Sequence, residues 1–223
     1  MENTSQKLVM AASELIRQDD LQNISARGIA AAAGCTTALI YKYFRNLDYL
    51  ITLGCFPFLD EYNAEISSID NLTADALTRY RISWDAFIRE AFVHPRIYEW
   101  IFWGKGKSLY ADAVLEYYEL FPERLKAKKT ALYLATTFSA ELVDRDLIWL
   151  RRVVDEQTLD LNDLVYISRI NSYTIHGMLA EYLQGEFSQE KGTQIASETV
   201  ARTIDTFVEL RNLRKAAAGH GEA

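Results

Sequence analysis

The chain has 223 residues, 49% of them hydrophobic and 25% charged, which excludes disordered and fibrous classes and leaves length enough for a substantial core. A formal net charge of −7 excludes a histone-like coat on nucleic acid, because non-specific DNA binding is carried by many Lys and Arg side chains. Ten glycines and three prolines are too few for the turns of a many-stranded sheet protein, so the expected fold class is all-α.

The first helix is expected over Thr4 to Gln18, with Leu8, Ala12, Leu15 and Ile16 on one face. The stretch from Ser25 to Phe44 then reads as a helix-turn-helix. Ser25 can cap a short helix, Gly34 can end it in the left-handed conformation, and Thr36 or Thr37 can cap the next one. Small residues (Ala30, Ala33, Gly34, Cys35) stand where the two backbones must approach, and Ile29, Ile40 and Phe44 can fill the space between. Between Ser25 and Asn46 there are three basic residues (Arg27, Lys42, Arg45) and no acidic one. Thr36, Thr37, Tyr41, Lys42 and Tyr43 fall at the start and outer side of the second helix, where hydroxyls and an ammonium reach phosphates. Ala38 and Leu39 suit apolar contact with a thymine methyl.

Together, Ile29-Ala30, Ala33-Gly34-Cys35-Thr36, Leu39-Ile40-Tyr41-Lys42-Tyr43-Phe44 and Asn46-Leu47-Asp48-Tyr49-Leu50 resemble the TetR family of transcription regulators over about the first fifty residues. The resemblance implies a homodimer that binds double-stranded operator DNA, with a DNA-binding head and a larger body for dimerisation and a small-molecule effector. On that pattern the DNA-binding residues are Ser25, Arg27, Thr36, Thr37, Ala38, Leu39, Tyr41, Lys42, Tyr43 and Asn46. There are departures from it. Leu47 stands where the family usually has a lysine that contacts the DNA backbone, Cys35 replaces a valine, and Ala38 and Leu39 replace glycine and a small or hydroxyl residue.

The expected domains are a head over residues 1–50, a body over residues 51–215 and a disordered tail over residues 216–223. Asn46 can cap a helix running towards Ile66, in which Pro57 forces a kink or a break. Further helices are expected over Thr73 to Val93, from Pro95 to Gly104, over Ser108 to Leu120, Pro122 to Phe138, Ala140 to Glu156 with Ser139 as cap, Asn162 to Gln184, and Gln189 to Lys215. The small Ser168 and Ser172 with Ile175 and Leu179, and Val200, Ile204 and Phe207 on the last helix, are expected at a four-helix dimer interface; the alternative is the core of a monomer.

Eleven of the residues from Trp84 to Phe121 are aromatic, an excess over the 12% of the whole chain. Trp84, Phe87, Trp100, Trp103, Tyr110 and Tyr117 are the candidate ligand-binding residues, walling a cavity for a flat or apolar molecule or else packing as plain core. No catalytic constellation, metal-ligand spacing or cofactor motif is present, the histidines His94, His176 and His220 being far apart. Cys35 and Cys55 are expected in helical core positions and form no disulfide framework. The amino terminus has no basic-then-apolar leader and no stretch is apolar over the roughly 20 residues of a membrane span, so a cytoplasmic location is expected. The reading that results is a repressor released by a small molecule, and not an enzyme. Its rivals are a helical ligand-binding protein or enzyme with a weakened head, and an activator that needs no ligand.

Overall fold

The computed structural model describes residues 3–18, 20–126, 131–155 and 159–219. Among these the chain forms thirteen α-helices, short 3-10 turns and no strand, as the composition implies. The helices gather into two compact units, residues 1–64 with 94–140 and residues 65–93 with 141–223.

In the first unit α1 (Thr4–Gln18) crosses both α4 (Leu47–Cys55) and α2 (Ala26–Ala32), and α2 packs on α3 (Thr37–Tyr43). Leu8, Val9 and Ala12 of α1 and Leu50 and Leu53 of α4 are fully buried. The crossing is close because Gly54 has no side chain: a Cβ there would lie 3.0 Å from Ala12 Cβ and 3.0 Å from Ile16 Cδ1. The helix from Asn46 does not run on to Ile66. It stops at Cys55, gives way to a 3-10 turn at Phe56–Leu59 with Pro57 in its first turn, and resumes as α5 (Asp60–Ile69). Proline has no N–H to donate and crowds the preceding turn, so the tighter turn takes its place.

The first unit continues with α7 (Pro95–Phe102), α8 (Tyr110–Leu120), α9 (Pro122–Lys126) and α10 (Ala131–Phe138). Of the single helix expected over Pro122 to Phe138, residues 127–130 lie outside the described residues. Ser139 is not a cap, because the next helix starts at Leu142, three residues on, and the Ser139 hydroxyl donates back to the Ala135 carbonyl at 2.9 Å.

In the second unit α6 (Ala76–Val93), α11 (Leu142–Asp155), α12 (Leu164–Leu183) and α13 (Gln189–Gly219) pack on one another. Helix α6 begins three residues later than expected, since Asp75 accepts from the Thr78 N–H at 2.7 Å and makes a better cap than Thr73. The last helix reaches Gly219, so the expected disorder from Ala216 is replaced by helix that far, and residues 220–223 lie outside the described residues. No helix of the described residues is long and apolar enough to cross a membrane.

A polar cluster lies in the core of this unit. The Asp146 carboxylate accepts from Trp84 Nε1 at 2.8 Å and from the Tyr80 hydroxyl at 3.1 Å, and Asn171 Nδ2 donates to that hydroxyl at 3.2 Å. Burial favours the neutral acid and pushes the Asp146 carboxyl up to about 7, although hydrogen bonds from Ser168, Tyr80 and Trp84 pull the other way.

Two tests follow from this packing. Gly54→Ala is expected to destabilise the protein by about 1–3 kcal/mol, read as a lower urea midpoint, because neither Ala12 nor the α1 backbone can retreat without opening the core. Asp146 holds its proton in the folded state at a pH where the unfolded chain has released it, so stability is greatest at low pH and falls as pH rises from about 4 to about 7. Asp146→Asn is expected to flatten that fall in urea titrations at pH 5 and pH 8, and an unchanged pH dependence would count against the assignment.

Candidate nucleic-acid interface

Ser25 caps α2 by accepting from the Gly28 N–H at 3.1 Å. The helix ends in a reciprocal pair of backbone bonds, Cys35 N–H to Ala30 O at 2.8 Å and Gly34 N–H to Ala31 O at 3.1 Å, with Gly34 at φ 64°. Nothing lies within 4 Å of the position a Gly34 side chain would take, so the demand for glycine is conformational and not steric. Cys35 sits in this turn, half-buried, and not in a helix, whereas Cys55 is in α4 and fully buried.

The inner side of α3 is closed by Ile40 and, just beyond its end, Phe44, both buried. That fixes which side faces out. Ser25, Arg27, Thr36, Ala38, Tyr41, Lys42, Tyr43 and Asn46 are exposed, and Thr37 and Leu39 are half-buried. Thr36 is the N-cap residue of α3 by its backbone angles but makes no side-chain capping bond, so its hydroxyl faces solvent uncommitted. Asn46 does cap α4, accepting from the Tyr49 N–H at 2.8 Å, which leaves its amide nitrogen as the donor.

The three basic residues of the segment are not equivalent. Arg45 pairs with Asp112 at 3.0 Å and lies over the Tyr49 ring. Among the described residues Arg27 and Lys42 have no acidic partner, and the Lys42 ammonium rests 5.8 Å from the Tyr43 ring centroid. The result is a short helix with hydroxyls, one unpaired cation and two phenol rings on its outer side, and a second unpaired cation, Arg27, on α2.

The expected ligand-binding residues are divided between the two units. Trp84 and Phe87 belong to the second unit, where both are buried and their rings meet edge-on at 5.6 Å. Trp100, Trp103, Tyr110 and Tyr117 belong to the first. Tyr110 and Tyr117 are core residues there, each packed on Phe56, with the Tyr110 hydroxyl donating to Thr137 O at 2.8 Å and the Tyr117 hydroxyl accepting from Arg124 at 2.8 Å. Trp103 is half-buried beside Phe102. A pocket of about 490 Å³ does open in this unit, and of the six candidates Trp100 lines it. Its other walls come from Asp20 to Ile24, from the first half of α4, from Arg96 and Glu99 of α7 and from the turn at Gly104 and Lys105. Sequence reading misses it because the contributing segments are far apart in the chain and none has a motif of its own.

Ser168, Ser172, Ile175, Leu179, Val200 and Ile204 are buried among the helices of a single chain, and Phe207 is half-buried. The Ser168 hydroxyl donates to Val143 O at 3.2 Å within the chain. The outward side of α12 carries Tyr166, Ile170 and Tyr173 instead, 64%, 41% and 69% exposed.

Residues 8–51 match the family model of the bacterial regulatory proteins of the tetR family. No curated protein matches the sequence significantly. Among solved structures the chain is similar to a TetR transcription regulator from Haloarcula marismortui, at 16% identity and TM-score 0.56, covering 93% of this chain and 99% of that one. It is similar also to a putative TetR-family transcriptional regulator from Rhodococcus sp., at 14% identity and TM-score 0.56, covering 92% and 100%. A third likeness is to the TetR family transcriptional regulator PfmR from Thermus thermophilus, at 16% identity and TM-score 0.51, covering 92% and 97%. Residues 8–51 are thus the amino-terminal domain of the TetR family of bacterial regulatory proteins, carried on an all-helical chain with the fold of solved regulators of that family.

Proposed function

We propose that this protein is a cytoplasmic, homodimeric transcriptional repressor that binds double-stranded operator DNA through α3 and is released by a small apolar or aromatic effector. The observation that carries the reading is the outer side of α3, where Thr36, Tyr41, Lys42 and Tyr43 stand exposed over a buried Ile40 and no acidic residue occurs from Ser25 to Asn46. Side chains of these types position a helix on phosphates and leave Ala38 and Leu39 facing base edges. Residues 1–50 hold five basic and five acidic residues, so the net charge of −7 lies in the rest of the chain and keeps DNA at this end.

Dimerisation follows from the same requirement, since one recognition helix makes too few contacts for a strong operator. The outward Tyr166, Ile170 and Tyr173 of α12 fall one turn apart on one side and offer an apolar strip that two copies can share about a two-fold axis. A second reading, a ligand-binding helical protein with weakened DNA affinity, draws on Leu47, half-buried where the family usually presents a lysine to the DNA backbone.

The purified protein is expected to bind its own upstream intergenic DNA more tightly than random DNA across a salt series, and equal affinity for both would reject the repressor reading. Lys42→Ala is expected to weaken binding to both DNAs and to reduce the slope of log affinity against log salt by about 2, one phosphate contact per subunit. Tyr173→Asp is expected to convert the dimer to a monomer in sedimentation and to cost operator affinity without loss of helix content; a dimer that survives it places the interface elsewhere.

A further inference from the structure

We propose that the pocket formed by the α1–α2 connection, the first half of α4, α7 and the turn that follows α7 is an effector site for a small organic cation with an aromatic or alkyl group, and that its occupancy alters DNA binding. The proposal rests on the regulator reading and names a site for it.

The pocket has a size suited to a small molecule, about 490 Å³. Its apolar wall is made by Leu21, Ile24 and Ile51, all buried, together with the indole of Trp100. That indole is held in place. Its Nε1 donates to Thr52 Oγ1 at 3.0 Å, and a Cβ on Gly106 would lie 2.5 Å from its Cδ1, so ring and backbone are in direct contact.

The charges on the pocket wall point to the sign of the ligand. Arg96 pairs with Asp20 at 3.3 Å and Lys105 with Asp48 at 3.7 Å. Glu99, half-buried, has no ion-pair or hydrogen-bond partner for its side chain among the described residues. One carboxylate is therefore left over beside an aromatic face, a combination that attracts a cation. The structure already shows a cation in that position: the Lys105 ammonium lies 5.9 Å from the Trp100 ring centroid while bridging to Asp48. Lys105 is an exposed, flexible tether, its side chain 71% accessible, and a ligand ammonium with its own apolar group can displace it, reach Asp48 and Glu99, and bury its carbon on Trp100. The acidic groups here do not suit a metal ion, since no three His, Cys, Asp or Glu side chains of the described residues come together to hold one.

The location gives the site a route to the DNA-binding segment. Asp20 caps the 3-10 turn at Leu21–Asn23 that leads into Ser25, and Asp48 is in the first turn of α4, just after α3. The two ion pairs thus tie both flanks of the helix-turn-helix to α7 and the turn that follows it, and a cation that takes over Asp48 releases one of them. A change of operator affinity by a factor of about 5–150 is the range that such coupling between two sites produces.

The test uses the full-length protein at constant ionic strength, with benzyltrimethylammonium as the probe and benzyl alcohol as its uncharged comparison, followed by calorimetry and tryptophan emission. Saturable binding of the ammonium is expected, weakened about tenfold in Glu99→Gln and unchanged in Glu119→Gln, an exposed acid on α8 outside the pocket. Lys105→Met is expected to bind the probe more tightly than wild type, because it removes the tethered competitor; a merely structural role for Lys105 would not move affinity in that direction. Equal affinity of wild type and Glu99→Gln, or equal affinity for benzyl alcohol, overturns the cation site. In a parallel titration the probe is expected to change affinity for the upstream DNA in wild type and not in Glu99→Gln, and an unchanged affinity in wild type overturns the regulatory role. Failure of specific DNA binding with Glu99-dependent probe binding intact would instead sink the repressor reading and leave the site standing.

Discussion

The close crossing of α1 and α4 at Gly54 is the contact from which the DNA-binding end takes its geometry. With hydrogen in place of a methyl group, the two backbones approach until Ala12 and Ile16 fill the space, and α1 then lies across both α4 and α2. The α2–α3 corner is too small to hold itself in shape, having Ile29, Ile40 and Phe44 as its buried apolar residues of any size. It borrows the burial of α1 and α4, where Leu8, Val9, Ile16, Leu50, Ile51 and Leu53 are buried. Rigidity at the surface helix is thus a property of the layer beneath it.

Two kinds of polar contact do different work on this framework. Exposed pairs such as Arg45–Asp112 and Lys105–Asp48 contribute at most about 1 kcal/mol each and can be exchanged at little cost, which suits contacts that must be made and broken. The buried set around Asp146 is of the opposite kind. Removing one member strands the others away from water, so Tyr80, Trp84 and Asn171 act as a unit that locks α6, α11 and α12 in register. In the first unit adaptability therefore sits at the surface next to the DNA-binding segment, and the second unit has a specified polar core.

Local chemistry is legible in the sequence where one short segment determines the outcome. Ser25, Gly34 and Asn46 act within three residues of themselves, and all three do in the structure what their types imply. The first helix is legible because its apolar face is continuous, with Leu8, Ala12 and Ile16 buried. What escapes depends on distant partners. Whether Ser168 and Ser172 face a second chain or their own cannot be told from small size, since close packing within a chain and between chains asks for the same residues. The aromatic run from Trp84 to Phe121 looks like one feature because it is continuous in sequence, yet His94 begins the return of the chain to the first unit and divides it. The pocket beside Trp100 is hidden for the same reason, its Asp20 and Arg96 being more than seventy residues apart.

Helix α8 offers two attachments to the start of α4: Asp112 holds Arg45, and Glu116, one turn on, accepts from the Tyr49 hydroxyl at 2.7 Å. The start of α4 is therefore held from two directions, by α1 through buried apolar side chains and by α8 through two polar contacts spaced one helical turn apart.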